Sequence, residues 1–125
     1  MEKDKSMNLH FYDQHGNPVA YTENSALYFY SGQPIAYIEG NAVYTFSGQH
    51  IGWYEHGWIA DKQGCYILFS EQSTGGMMCP RTEMKPWKQM RQPLPLRDKP
   101  KMHGVKPIFS LIWSKLPPRE FFCCR

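Results

Sequence analysis

Four glycines, Gly16, Gly32, Gly48 and Gly64, recur every 16 residues, and seven positions after each stands a glutamate: Glu23, Glu39, Glu55 and Glu71. Three positions after each glycine comes Val19, Ile35, Ile51 or Ile67. Five positions after comes Tyr21, Tyr37, Trp53 or Phe69. A fixed period of this kind is the signature of one supersecondary unit copied in tandem. Sixteen residues divided into two strands of about five and two turns leave no room for a helix. The runs Leu27-Tyr-Phe-Tyr30 and Ile35-Ala-Tyr-Ile38 are β-branched and aromatic, as strands prefer, and Ser31-Gly-Gln-Pro34 joins them. The sequence therefore predicts an all-β fold: four repeated 16-residue β-hairpins in a pseudo-four-fold meander of eight strands. In Asp13-Gln-His-Gly16 and Asp61-Lys-Gln-Gly64, Asp is expected to accept a backbone N–H and Gly to supply the positive φ.

Period-two alternation predicts that Val19, Tyr21 and Glu23 share a face, with Ala20 and Thr22 on the other. The later units repeat this as Ile35/Tyr37/Glu39, Ile51/Trp53/Glu55 and Ile67/Phe69/Glu71. Ala20, Ala36 and Gly52 are expected where the hairpins converge on an axis, with Leu68 filling asymmetric space. Tyr28, Tyr30, Tyr44, Phe46 and Tyr54 then fall on the face opposite the Ile/Trp set, as a ligand-binding aromatic surface if exposed and as core if covered, and coverage is favoured because a thin sheet needs both faces protected.

Charge divides the 125-residue chain near Ser73-Thr-Gly-Gly76. Residues 1–76 carry three basic and eight acidic side chains, a formal −5, and residues 77–125 carry eleven and three, a formal +8. Eight of the 10 prolines lie at or beyond Pro80. Three parts follow: a four-hairpin domain (1–76), a Pro/Lys/Arg-rich extended linker (77–107) and an aromatic docking tail (108–125). A sheet of about 70 residues is marginal alone. Phe109, Trp113, Phe121 and Phe122 are thus expected to pack back on the hairpins, as an extra strand and a short helical turn. Docking on the same subunit and exchange between subunits of a homo-oligomer both satisfy this expectation. The linker's cations would then run near the hairpins' carboxylates.

The repeated G-x-x-[VI]-x-aromatic-x-E units, Gly16 to Glu71, together with the ending Pro107-Ile-Phe-Ser-Leu-Ile-Trp113-Ser-Lys-Leu116-Pro-Pro-Arg-Glu120-Phe-Phe122, resemble the four-fold beta flower proteins. That bacterial group is named for four hairpins set like petals about a pseudo-four-fold axis. Pro117-Pro118 and Cys123-Cys124-Arg125 depart from its pattern. The resemblance implies a fold; the group has no agreed activity, so no functional residue is carried across.

The chemistry-bearing residues give little. The four glutamates read as polar residues entering surface turns rather than as a carboxylate ring for a hard cation. Histidines 10, 15, 50, 56 and 103 share no ligand spacing, so neither metal nor cofactor is expected. Cys65 reads as an idle thiol, and no G-x-S-x-G, P-loop or dinucleotide fingerprint occurs. No catalytic residue is assigned. Four cysteines without a CxxC pair, and an opening Met1–Asn8 without an apolar core, suggest reduced thiols in the cytoplasm and no secretory signal. No apolar run reaches the length of a transmembrane segment. The first functional reading is a non-enzymatic binding or scaffold module for a protein, peptide or saccharide. The alternative is nucleic-acid or anionic-surface binding through the basic Pro-rich tail. Third stands a small hydrolase with an unrecognised site, for which a deep pocket with convergent polar groups would be the sign.

Overall fold

A computed structural model describes residues 8–122. Eight strands run in chain order: β1 (His10–Tyr12), β2 (Pro18–Glu23), β3 (Ala26–Phe29), β4 (Pro34–Glu39), β5 (Ala42–Tyr44), β6 (His50–Glu55), β7 (Trp58–Asp61) and β8 (Tyr66–Ser70). Each pairs antiparallel with the next, and β1 pairs with β8, so the meander closes into a barrel. One short helix, α1 (Pro118–Phe122), follows much later.

Both kinds of turn are built by local chemistry. At one end of the barrel, each recurring glycine donates its N–H to the carbonyl three residues back, at 2.9–3.0 Å, on Asp13, Phe29, Thr45 or Asp61. Asp13 Oδ1 accepts the N–H groups of His15 and Asn17, and Asp61 Oδ1 those of Gln63 and Cys65. At the other end the turns have two residues, and positive φ at Asn24, Ser25, His56 and Gly57 matches the twist such tight turns need.

Each even strand carries a register shift one position before Ala20, Ala36, Gly52 or Leu68. Phe11 faces Ala20 but Tyr12 faces Pro18, leaving Val19 extra. Ile35, Ile51 and Ile67 are extra in the same way. The bulge breaks period-two alternation and corrects the predicted faces. Val19, Ile35, Ile51 and Ile67 turn toward the cluster that holds Ala20, Ala36 and Leu68, while Tyr21, Tyr37, Trp53 and Phe69 stay outside. That inner cluster draws residues from all eight strands, as only the inside of a closed barrel allows. Phe121 and Phe122 of α1 complete it from the glycine-turn end. Gly52 makes room for this plug: a Cβ there would lie 2.7 Å from the Phe121 ring and 2.3 Å from the Ala60 carbonyl oxygen.

Between barrel and plug the chain makes a second lap. Residues 71–82 cross from the β8 side back to the first glycine turn. Thr74 donates to the His56 carbonyl on the way, and the Trp58 indole N–H donates to Thr74. The strap then passes the four glycine turns in order. Glu83, Gln92, Lys101 and Ser110 donate their backbone N–H groups to the carbonyls of Gly16, Gly32, Gly48 and Gly64 at 2.8–2.9 Å. The barrel advances 16 residues per quarter and the strap nine. Gln89 and Asp98 add bonds to Tyr30 and Phe46; their counterparts, Pro80 and Pro107, have no N–H. Nine residues are three turns of a polyproline II helix, about 28 Å of path.

The predicted extra strand in the tail is reduced to a single parallel bridge, Tyr66 to Trp113. The three-residue pattern of inward side chains runs to Phe109 and then breaks, with Ile112 exposed and Trp113 turned in, and only this one bridge follows. Phe109 and Trp113 lie half-buried against Tyr66, Trp58 and Phe69.

Candidate binding surface

The three-residue period sorts the strap's side chains. Those at 85, 88, 91, 97, 103, 106 and 109 return to the barrel wall. Lys88 Nζ sits 4.4 Å above the Tyr21 ring and Arg97 Cζ 3.9 Å above Tyr37. Arg91 pairs with Glu23 at 3.1 Å, Lys106 with Glu55 at 2.8 Å and Lys85 with Glu71 at 3.7 Å. These pairs are partly exposed, so each contributes at most about 1 kcal/mol. Glu39 makes no ion pair among the described residues. Residues one position earlier in the period face solvent. Met78, Met84, Trp87, Met90, Leu96, Met102, Val105 and Ile108, every one a multiple of three, are each at least 91% exposed.

The aromatic residues singled out from sequence are not such a surface. Tyr21 faces Tyr28 directly across the β2–β3 pair and Tyr37 faces Tyr44 across β4–β5, so these tyrosines share one face rather than opposite ones. The rings stack at 5.6 and 5.5 Å. Tyr28, Tyr30 and Tyr44 are buried, and Tyr30 lies against His10, whose Nδ1 is 2.6 Å from its hydroxyl. Phe46 is half-buried against Tyr37, and Tyr54 packs edge-on to Phe11 at the inner cluster, apart from the other four.

Where the third unit has Trp53 opposite Ala60, the missing ring is replaced by histidines. His50 lies 4.5 Å and His103 5.0 Å from Trp53, and the two imidazoles are 5.1 Å apart. His50 is buried and its Nε2 has no hydrogen-bond partner among the described residues. Burial foremost, with His103 beside it, holds its pKa below the ordinary 6.5, against the opposing backbone bond at Gly52. His10 is depressed too, by burial and then Lys85. Unfolding restores the ordinary value, so the unfolded chain binds more protons below it. The stability these neutral rings contribute is complete above about pH 6.5 and is lost as pH falls through the depressed folded values. The melting temperature is expected to decline on acidification below that point, and His50→Phe to flatten the decline. An unchanged pH profile in that variant would exclude His50 as the cause.

A cavity of about 580 Å³ opens between α1 and the rim, lined by His50, Ile51, Asp61, Cys65, Trp113 and Phe121 among others. Its polar groups do not converge on a reaction. Asp61 is occupied by its turn, and burial with the Asp61 charge raises the Cys65 pKa, keeping the thiol protonated. No three His, Cys, Asp or Glu side chains among the described residues converge as metal ligands. Cys65 and Cys79 are free thiols; Cys123 and Cys124 lie outside the described residues.

The nine-residue strap repeat was missed from sequence. Its signal was present in Lys88, Arg97 and Lys106, spaced by nine, and in apolar residues spaced by three.

The closed antiparallel meander of eight strands, with a single short helix after it among the described residues, defines an all-β, barrel-like protein. The chain matches the family model of the 4-fold beta flower protein over residues 10–122 and belongs to that family. No curated protein and no solved structure matches it. No helix among the described residues is long and apolar enough to cross a membrane.

Proposed function

We propose that the protein is a non-enzymatic binding or scaffold module. Each 16-residue unit serves as one hairpin petal of a rigid frame (1–76), residues 77–107 as a displayed strap, and residues 108–125 as the tail that locks it in place. The observation that carries this reading is the strap's outward row, with Trp87 91% exposed and methionines three residues to either side. Exposed large apolar groups in register mark interaction sites, and methionine adapts to varied partners. The row is predominantly apolar and favours an apolar partner over a saccharide. Nucleic-acid binding through the basic tail is the weaker reading, because Lys85, Arg91 and Lys106 are paired with carboxylates and Lys88 and Arg97 lie over rings. Free Cys65 and Cys79 agree with a reducing compartment, and we place the protein in the cytoplasm.

The test is binding of an environment-sensitive apolar dye to the full chain. The native protein, with a sharp thermal transition, is expected to light the dye. The triple variant Met84→Ser/Trp87→Ser/Met90→Ser is expected to lose most of the signal while melting at the same temperature. A dark native protein would end this reading.

A further inference from the structure

Methionine is sorted along this chain. Residues 8–76, which build the barrel wall, contain none, although methionine commonly fills irregular gaps in apolar cores. Met77, Met78, Met84, Met90 and Met102 all lie on the strap, and Met1 and Met7 lie outside the described residues. Met78, Met84, Met90 and Met102 stand on the outward row at spacings of six or twelve residues, with Leu96 at the skipped step. Six residues are two turns of the three-residue winding, so the spacing returns each thioether to the solvent side. Met77, immediately before Met78, turns inward instead and packs against the cluster of Tyr12, Trp58, Tyr66 and Phe69. None of the four outward methionines belongs to a core cluster. A change in their polarity therefore leaves the packing of the wall untouched. Trp87 has Met84 and Met90 three residues to either side, so the same change alters the surroundings of the row's one aromatic ring.

We infer that Met78, Met84, Met90 and Met102 are a reversible oxidation site that switches the apolar row off: a peroxide converts them to methionine sulfoxide, and a methionine sulfoxide reductase restores them. This rests on the binding-module reading above. In each step the thioether sulfur attacks a peroxide oxygen, the O–O bond breaks and a sulfur–oxygen bond forms. Sulfur loses two electrons, the peroxide gains them, and with hydrogen peroxide the other product is water. The aliphatic members of the row, Leu96, Val105 and Ile108, have no group that reacts in this way. Exposure selects the sites, because an oxidant reaches a thioether in solvent before one packed against rings. The product is polar, and this conversion disrupts methionine-rich interfaces. Cys65 and Cys79 also meet peroxide, but burial raises both pKa values and leaves less of the reactive thiolate.

The experiment treats the full chain with hydrogen peroxide and then with a thiol reductant, which returns cysteine sulfenic acid or disulfide but leaves sulfoxide in place. Peptide mass spectrometry, the apolar dye and a melting curve read the product. Met78, Met84, Met90 and Met102 are each expected to gain one oxygen as fast as in the denatured chain, and Met77 several-fold more slowly than Met78. The oxidised chain is expected to lose most of its dye signal and keep the native melting temperature. Treatment with both methionine sulfoxide reductase types, one for each sulfoxide epimer, is expected to bring the signal back. The variant Met78→Leu/Met84→Leu/Met90→Leu/Met102→Leu, apolar but without sulfur, is expected to stay bright through peroxide. Four results would overturn the inference: Met77 reacting as fast as Met78 in the folded chain, a native dye signal after sulfoxide has formed, an equal loss of signal in the leucine variant, or a melting temperature that falls with oxidation. A chain that is dark before peroxide ends the binding-module reading and this inference with it. A chain that lights the dye and stays bright as sulfoxide ends this inference alone.

Discussion

Ending the chain after Gly76 is expected to leave no cooperative thermal transition, although every strand of the barrel is retained. The truncation removes Phe121, 1% exposed, and Phe122 from the inner cluster. It also removes six strap N–H groups that bond the turn carbonyls, from Glu83, Gln89, Gln92, Asp98, Lys101 and Ser110. Loss of a buried aromatic costs about 3–5 kcal/mol and each backbone bond about 0.5–1.5 kcal/mol. Against a typical total of about 5–15 kcal/mol, the remainder does not sustain a fold. Phe121→Ala is the graded version: about 3–5 kcal/mol, or roughly 10–20 °C in melting temperature for a chain of this size. Calorimetry reads both. A truncated chain melting at the full-length temperature would show that neither strap nor plug stabilises the barrel.

A second large effect is expected at Gly32, and Gly40 provides the control. Both have positive φ, +94° and +63°. Either substitution by alanine meets a backbone penalty, about 1 kcal/mol at Gly40, whose φ lies in the left-handed region, and no less at Gly32, whose φ lies beyond it. At Gly40 the new methyl group meets nothing within 4 Å. At Gly32 it would lie 2.0 Å from the Met90 carbonyl oxygen, a backbone atom that cannot swing aside. Gly32→Ala must therefore push the strap off its turn and break the Gln92 bond to the Gly32 carbonyl. It is expected to cost about 2 kcal/mol or more beyond Gly40→Ala. Hydrogen exchange should locate the damage, with the Gln92 amide losing protection in Gly32→Ala alone. Equal destabilisation by the two variants would mean that the strap does not hold that turn.

The barrel was the legible part of this molecule, because its repeat acts through side chains. A turn needing positive φ writes glycine into the sequence, and a strand wall writes Ile, Tyr and Trp. The bulge at Val19, Ile35, Ile51 and Ile67 was visible as a recurring position but not as a bulge, so alternation assigned its faces wrongly. The strap was less legible for a different reason. It is held chiefly by main-chain N–H groups, which Glu83, Gln92, Lys101 and Ser110 all supply equally well. Nine-residue equivalence thus shows in residue type chiefly at Lys88, Arg97 and Lys106. The outward row escaped notice because a three-residue period mixes one apolar residue with two polar ones. Of the two readings open for the aromatic rings, the structure has the covered one at Tyr28, Tyr30 and Tyr44, where rings receive each other and the strap's cations.

The seam between β1 and β8 is short: its register spans only Phe11 with Ser70 and Tyr12 with Phe69. Left alone, it would be the natural place for the wall to spring open. The chain runs across that gap before setting out on its second circuit, and works as a cooper's hoop does on staves. Gaping at the joint requires the hoop to slip first, which makes release of the carboxy-terminal half the gate through which unraveling must pass.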